Sequence, residues 1–131
     1  MTPERFGNSG QNQPVAITHT FAGLPVADYT AAYDWYARLL GRDADMFPHD
    51  TECVWRLTPT SSIYVTQDPE RAGSALVTLA LDDLDDHEWR LREASFAFSD
   101  EATGSGPRRL IVSDLDGNTL AFFQDPSPPG G

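Results

Sequence analysis

The sequence predicts an α+β domain made of two similar halves, and three observations lead there. Aligning Asp28 with Asp83, an offset of 83 − 28 = 55 positions, sets Phe21-Ala-Gly-Leu-Pro-Val-Ala-Asp beside Leu76-Val-Thr-Leu-Ala-Leu-Asp-Asp. Weak self-similarity at a fixed spacing is the mark of a duplicated structural unit. Each segment is a short apolar run ending at an acidic residue suited to cap a helix, and each is followed by a helical pattern and further strand-like runs. With 131 residues, 40% of them apolar, the chain has enough material for one core and one domain.

Met1 to Pro14 are polar and rich in Gly, Asn and Gln, so residues 1–14 are expected to be a disordered tail. The domain proper is expected over residues 15–125, as modules of about 15–69 and 73–125, with a second tail at 126–131. In the first module a strand leads to Asp28. Tyr29, Ala32, Tyr33, Tyr36, Leu39 and Leu40 then recur at three- and four-residue steps, and Gly41 follows as a C-cap, which predicts an amphipathic helix. Strands are expected at Cys53–Leu57 and Ser62–Thr66, with a weaker one at Ala44–Phe47. The second module repeats the order. A strand leads to Asp83, the sparser series Leu84, His87, Leu91 and Ala94 marks a helix with Trp89 on its flank, and strands follow at Arg109–Val112 and Leu120–Phe123, with a weak one at Phe96–Phe98. Asp116-Gly117-Asn118 between the last two supplies residues that tolerate positive φ, so a hairpin is expected there. Counting the weak strands, the chain is two βαβββ modules forming curved mixed sheets around a cleft, with the helices outside.

Composition excludes several functions. Twenty acidic residues against nine basic give a formal charge of −11, which repels phosphate backbones and anionic lipid surfaces. Neither nucleic acid nor a membrane is an expected partner, whereas a cationic small molecule would be attracted. No apolar run reaches membrane-spanning length and no secretory pattern opens the chain, so a cytoplasmic protein is expected. Cys53 stands alone, which leaves no disulfide framework or thiolate cluster and suits a small core residue.

Catalytic signatures are sparse. There is no Gly-x-Ser-x-Gly elbow, and no glycine run has the strand, helix start and spacing of a phosphate cradle. Asp82-Asp83 and Asp85-Asp86 sit at a helix start, where the macrodipole favours them as caps. Arg42, Arg56, Arg108 and Arg109 are expected in solvated surface pairs rather than at a ligand. His49 lies beside Pro48 in a loop and His87 on the second helix. His19 is the histidine in a promising place, because it shares the strand parity of Phe21 and Gly23.

Val26-Ala27-Asp28 with Trp35-Tyr36 and Leu39-Leu40-Gly41, Leu81-Asp82-Asp83-Leu84, and the Asp114-Leu115-Asp116-Gly117-Asn118 turn carry a family resemblance. Over roughly Ile17 to Asp125 the chain resembles the vicinal oxygen chelate superfamily, the glyoxalase, bleomycin-resistance and extradiol dioxygenase group, in its small glyoxalase-like or bleomycin-resistance-like form. The resemblance implies paired βαβββ modules around a cleft and a homodimer. In metal-dependent members histidines and carboxylates on the inner faces hold a divalent metal and leave positions open for substrate oxygens. The first ligand of each module falls seven residues before the acidic cap, at Phe21 and Leu76 here. The glutamate of the final strand falls at Ala121, and its counterpart near Tyr64. No cofactor and no metal are therefore expected.

Replacing such ligands by Phe, Tyr, Leu and Ala turns a coordination site into an apolar, partly aromatic pocket. The expected ligand-binding residues are His19, Phe21, Trp55, Tyr64, Thr66, Leu76, Thr78, Ala121 and Phe123, with Gly23 and Thr119 on the same face and no catalytic residue. Trp55 enters either as an inward stacking platform or as an outward dimer contact. Trp35 and Tyr36 are read as packing, and Trp89 as packing or interface. The expected function is sequestration of an amphipathic or aromatic small molecule, such as a basic antibiotic, without metal. An enzyme of the same superfamily using a non-standard site that includes His19, and a dimeric interaction module without a ligand, are the alternatives.

Overall fold

A computed structural model describes residues 14–102 and 106–126. The expected terminal tails therefore fall almost wholly outside the described residues. Each half folds as strand, helix and three strands. The first contains β1 (Thr20–Val26), α1 (Tyr29–Leu40), β2 (Met46–His49), β3 (Glu52–Thr58) and β4 (Ser61–Gln67); the second contains β5 (Leu76–Leu81), α2 (Leu84–Glu93), β6 (Ser99–Glu101), β7 (Arg109–Ser113) and β8 (Thr119–Gln124). The sheets run β1-β4-β3-β2 and β5-β8-β7-β6. In each, the first strand pairs in parallel with the last, and the remaining pairs are antiparallel.

The acidic caps act as the sequence predicts. The Asp28 carboxylate accepts from the Ala31 N–H at 3.2 Å and the Asp83 carboxylate from the Asp86 N–H at 3.0 Å, satisfying amides that a helix start leaves free. Gly41 closes α1 in the left-handed region at φ 77°. The arginines also pair at the surface, Arg42 with Asp45, Arg108 with Asp85, Glu88 and Asp100, and Arg109 with Glu101.

Both weak strands lie further along than expected, for a physical reason in each case. Ala44 is held by a side chain before pairing begins: its N–H donates to the Tyr33 hydroxyl, and pairing with β3 starts at the Asp45 N–H, which donates to the Val54 carbonyl, while the Asp45 carboxylate takes the Arg56 N–H and the Arg42 guanidinium. Phe96 is spent on packing, edge-on to Trp35 at 5.3 Å between ring centroids and beneath the Arg38 guanidinium, while Phe98 lies under Arg92.

Alternation along the strands buries one face of each sheet under its helix; on the other, Phe21 and Leu76 are exposed while Val54, Ser62 and Ala121 are buried. Leu24, Val26, Ile63 and Val65 of the first sheet and Val77, Leu110, Val112, Leu120 and Phe122 of the second join residues of α1 and α2 in one core. Each fully buried aliphatic side chain contributes roughly 1.5–3 kcal/mol.

Among the described residues no backbone ladder joins the two sheets, and side chains link the modules. The Tyr36 hydroxyl of α1 donates to the Asp114 carboxylate of the β7–β8 turn at 2.7 Å. That carboxylate also accepts from the Asn118 side-chain amide at 2.8 Å and from the Asp116 and Asn118 N–H groups at 2.9 Å. Asn118 in turn donates to the Pro25 carbonyl of β1 and accepts from the Gly73 and Ala75 N–H groups of the connection between modules. Burial, reinforced by the bond to Asp114, holds the Tyr36 phenol protonated far above its ordinary range. Tyr36→Phe is expected to lower the urea midpoint with little change in slope, at about 1–3 kcal/mol, because it removes one donor from a buried carboxylate.

His87 of α2 packs on the Phe122 ring at 4.2 Å, and its Nε2 is buried without a hydrogen-bond partner. Burial first, and Arg90 second, push its pKa below the usual 6.5, against a smaller opposing effect of Asp86. The folded chain thus takes up this proton less readily than the unfolded one. The stability it contributes is complete above about pH 6.5 and is lost as pH falls through the lowered value. Thermal melts between about pH 8 and pH 5 should show this loss in the wild type, and less of it in His87→Leu.

Candidate ligand-binding site

The open face of the first sheet is laid out by its ladders. Gly23 of β1 stands beside Tyr64 of β4, Phe21 beside Ser62, and Pro25 beside Thr66. The Tyr64 ring lies across Gly23, since a Cβ there would come within 2.6 Å of the phenol oxygen and 2.7 Å of the carbon that bears it. Only glycine leaves room for that ring. At one end His19 packs against Phe21, ring centroids 4.4 Å apart, and its Nε2 is 2.9 Å from the Ser62 hydroxyl. At the other end Gly23, Pro25, Tyr64 and Thr66, with Asp68 and Arg71 at the rim, border a cavity of about 350 Å3.

The open face of the second sheet is the counterpart. Thr78 stands beside Ala121, Leu76 beside Thr119, and Ala80 beside Phe123, with Ile111 on the far side of Ala121. The two parallel ladders make the equivalence explicit. Gly23 and Thr78 each lie five residues before the capping aspartate, and their partners are Tyr64 and Ala121. Tyr64 is therefore the position in the first module that Ala121 occupies in the second.

Eight of the nine expected ligand residues fall on these faces: His19, Phe21, Tyr64 and Thr66 on one, Leu76, Thr78, Ala121 and Phe123 on the other. Phe21 and Leu76 are 53% and 70% exposed, whereas Ala121 is flush with its neighbours at 1%. Trp55 is a correction. It is wholly buried on the helix side, stacked on Tyr33 at 5.5 Å, with its indole N–H donating to the Arg42 carbonyl at 3.0 Å. It is neither a stacking platform for a ligand nor an outward contact. Ser62, which the sequence did not single out, is 96% buried and bonded to His19. Its one sequence signal is its parity with Tyr64 and Thr66.

A crystal structure of a glyoxalase/bleomycin resistance protein from Catenulispora acidiphila DSM 44928 is 37% identical in sequence, matches 82% of this chain and 98% of its own, and superposes with a TM-score of 0.77. The chain belongs to the glyoxalase/bleomycin resistance protein family. TnmS3, an antibiotic binding protein from Streptomyces sp. CB03234, is 25% identical over 85% of this chain and 98% of its own, with a TM-score of 0.69. A bleomycin-binding protein complexed with bleomycin, at 18% identity over 82% of this chain and 96% of its own and a TM-score of 0.66, shares the fold. No protein-family model matches the sequence, and no curated protein matches it.

For this family member the residues at the metal-ligand positions do not fit a divalent ion. Phe21, Leu76 and Ala121 have no lone pair to offer, and the fourth position supplies a phenol laid over Gly23. Among the described residues no group of three or more His, Cys, Asp and Glu side chains converges. Imidazole, carboxylate or thiolate sets are what such ions require.

Gly23→Ala is expected to displace the Tyr64 ring, at about 1 kcal/mol because the obstacle is the end of a side chain. The cost should vanish in the Tyr64→Ala background. A double-mutant cycle by urea denaturation measures that coupling.

Proposed function

We propose that this protein binds and sequesters an amphipathic or aromatic small molecule on its open sheet faces, without metal and without transforming it. The observation that carries the reading is the set Phe21, Tyr64, Leu76 and Ala121. These four occupy equivalent places in the two modules; Phe21, Tyr64 and Leu76 offer ring and alkyl surface where metal-dependent relatives have ligands, and Ala121 lies buried beneath. Such surface binds by area and stacking. TnmS3, described as an antibiotic binding protein, supports the same reading. The charge of −11 favours a cationic ligand, such as a basic antibiotic.

Homodimerisation is part of the proposal. The cavity beside Tyr64 has no lining residue from β5 to β8, and Phe21 and Leu76 remain largely exposed in one protomer. A second copy would close an apolar face over the ligand. Cys53, a free and buried thiol raised in pKa chiefly by burial, suits a reducing, cytoplasmic setting. No described helix is long and apolar enough to cross a membrane.

The His19–Ser62 pair favours a second reading, a metal-independent enzyme in which imidazole activates a hydroxyl. No carboxylate is bonded to His19 to orient it, so binding remains the preferred function.

Calorimetric titration with bleomycin and with a planar cationic dye, alongside native mass spectrometry, tests the proposal. Saturable binding to metal-free protein is expected, weakened about tenfold or more by Phe21→Ser and by Leu76→Ser while both variants stay folded. Affinity unchanged in both variants, or a stoichiometric metal lost with His19→Ala, would sink it.

A further inference from the structure

A cavity of about 500 Å3 is lined by residues of both sheets: Thr20 and Ala22 of β1, Ser61 to Ile63 of β4 and Val77 to Leu81 of β5, with Leu40 at the end of α1. β1 and β5 are outer strands, and among the described residues no ladder crosses between them. Successive strand residues point to opposite faces, so a run of five along one strand brings both faces to the cavity. Val77, Leu79 and Leu81 belong to the core side, whereas Thr78 and Ala80 stand beside Ala121 and Phe123 on the open face. In β4, Ile63 is on the core side, while Ser62 is bonded to His19 and is the ladder partner of Phe21. The cavity is therefore a slot through the seam between the sheets. Its mouth is on the open face next to His19 and Phe21, and its base is formed by Leu57, Ile63 and Phe122.

None of the lining side chains is charged, in a chain with 22% charged residues. Of the five hydroxyls among them, those of Thr58 and Ser61 bond each other and that of Ser62 bonds His19. Most of the polar groups are thus already satisfied within the protein. A charged or strongly polar occupant would give up its hydration for little return, whereas an alkyl chain has none to lose and gains by leaving water. The volume lies in the range of small-molecule sites.

We infer that this slot takes an aliphatic tail on the ligand, so that the ligand class is an aromatic head carrying an uncharged alkyl chain. The inference rests on the open-face reading for the head. A ring stacked on Phe21 stands over the ladder partner of Ser62, and Ser62 lines the slot, so a chain attached to the ring has a short path into it. The slot is a separate surface from the face itself: of the expected ligand residues, only Thr78 lines it. Burial there rewards chain length, at about fourfold in affinity for each methylene.

Two measurements test this. Methyl NMR of the full chain with straight-chain heptanol probes the slot alone, because heptanol carries the chain without the ring. Shifts are expected at the methyls of Leu57, Ile63, Val77 and Leu79, with little change at Leu76 on the open face. Calorimetric titration with N-alkyl acridine orange dyes, from methyl to nonyl, probes head and tail together. Affinity is expected to rise about fourfold per methylene until the slot is full. Ala22→Leu, which fills the slot, should flatten that rise and leave the affinity of the methyl dye unchanged. No shift of the slot methyls at about 5 mM heptanol overturns the inference, as does an affinity that ignores chain length or a rise that persists in Ala22→Leu. The heptanol measurement uses the unaltered chain, so it decides even where Ala22→Leu does not fold. A methyl dye that fails to bind saturably, while heptanol still shifts the slot methyls, would overturn the open-face reading and support the slot as a site for the chain alone.

Discussion

The buried carboxylate of Asp114 is the interaction on which the arrangement of the two modules depends. A carboxylate removed from water costs several kcal/mol unless donors replace the lost hydration. Here the donors come from three places: the Tyr36 phenol on α1, the Asn118 amide, and two backbone N–H groups of its own turn. Asn118 extends the network to β1 and to the connection between modules. Gly73 in that connection passes the turn closely, at φ 93°, where an added Cβ would come within 2.4 Å of the Asp116 carbonyl oxygen. The network therefore ties α1, β1, the inter-module connection and the last hairpin at one point. Trp35 against Phe96 adds an apolar contact between the same modules.

Duplication of the fold does not yield duplicate surfaces, because the residues at equivalent positions differ. The ladder places Gly23 with Tyr64 in one module and Thr78 with Ala121 in the other. In the first, the smallest residue lies under the largest of the four, and the result is a raised aromatic platform. In the second, two small side chains leave a level floor. Two faces related by the repeat thus differ in relief.

Much of this was legible in the sequence. The capping aspartates, the helical spacing after each, the 55-residue offset and the Asp114 to Asn118 turn are local signals, and all appear in the structure. Trp55 was not legible because Cys53, Val54 and Trp55 are all buried. With both faces of β3 covered there is no alternation to report which way the indole points. The weak strands shifted because the expected residues were taken up by tertiary packing, Phe96 against Trp35 and Ala44 against Tyr33. Tyr36 and Asp114 are 78 positions apart and His19 and Ser62 are 43 apart, so neither pair leaves a local pattern.

An apolar face has few means of discrimination. Area burial rewards size and shape, and an extra methylene alters affinity by roughly 1 kcal/mol, whereas a polar group left unpaired costs about 1–3 kcal/mol. In the proposed binding, selectivity would rest on the few polar groups at the borders of these faces: the His19–Ser62 pair at one end, and the Thr66 hydroxyl with Asp68 and Arg71 at the other. Arg71 is exposed and lies 3.8 Å from the half-buried Asp68, so solvent screens the pair. His19 differs, since its hydroxyl partner is buried and its ring rests on Phe21. On that proposal, a ligand stacked on Phe21 would meet the imidazole at the same moment, so shape and hydrogen bonding would be read together at this end of the face.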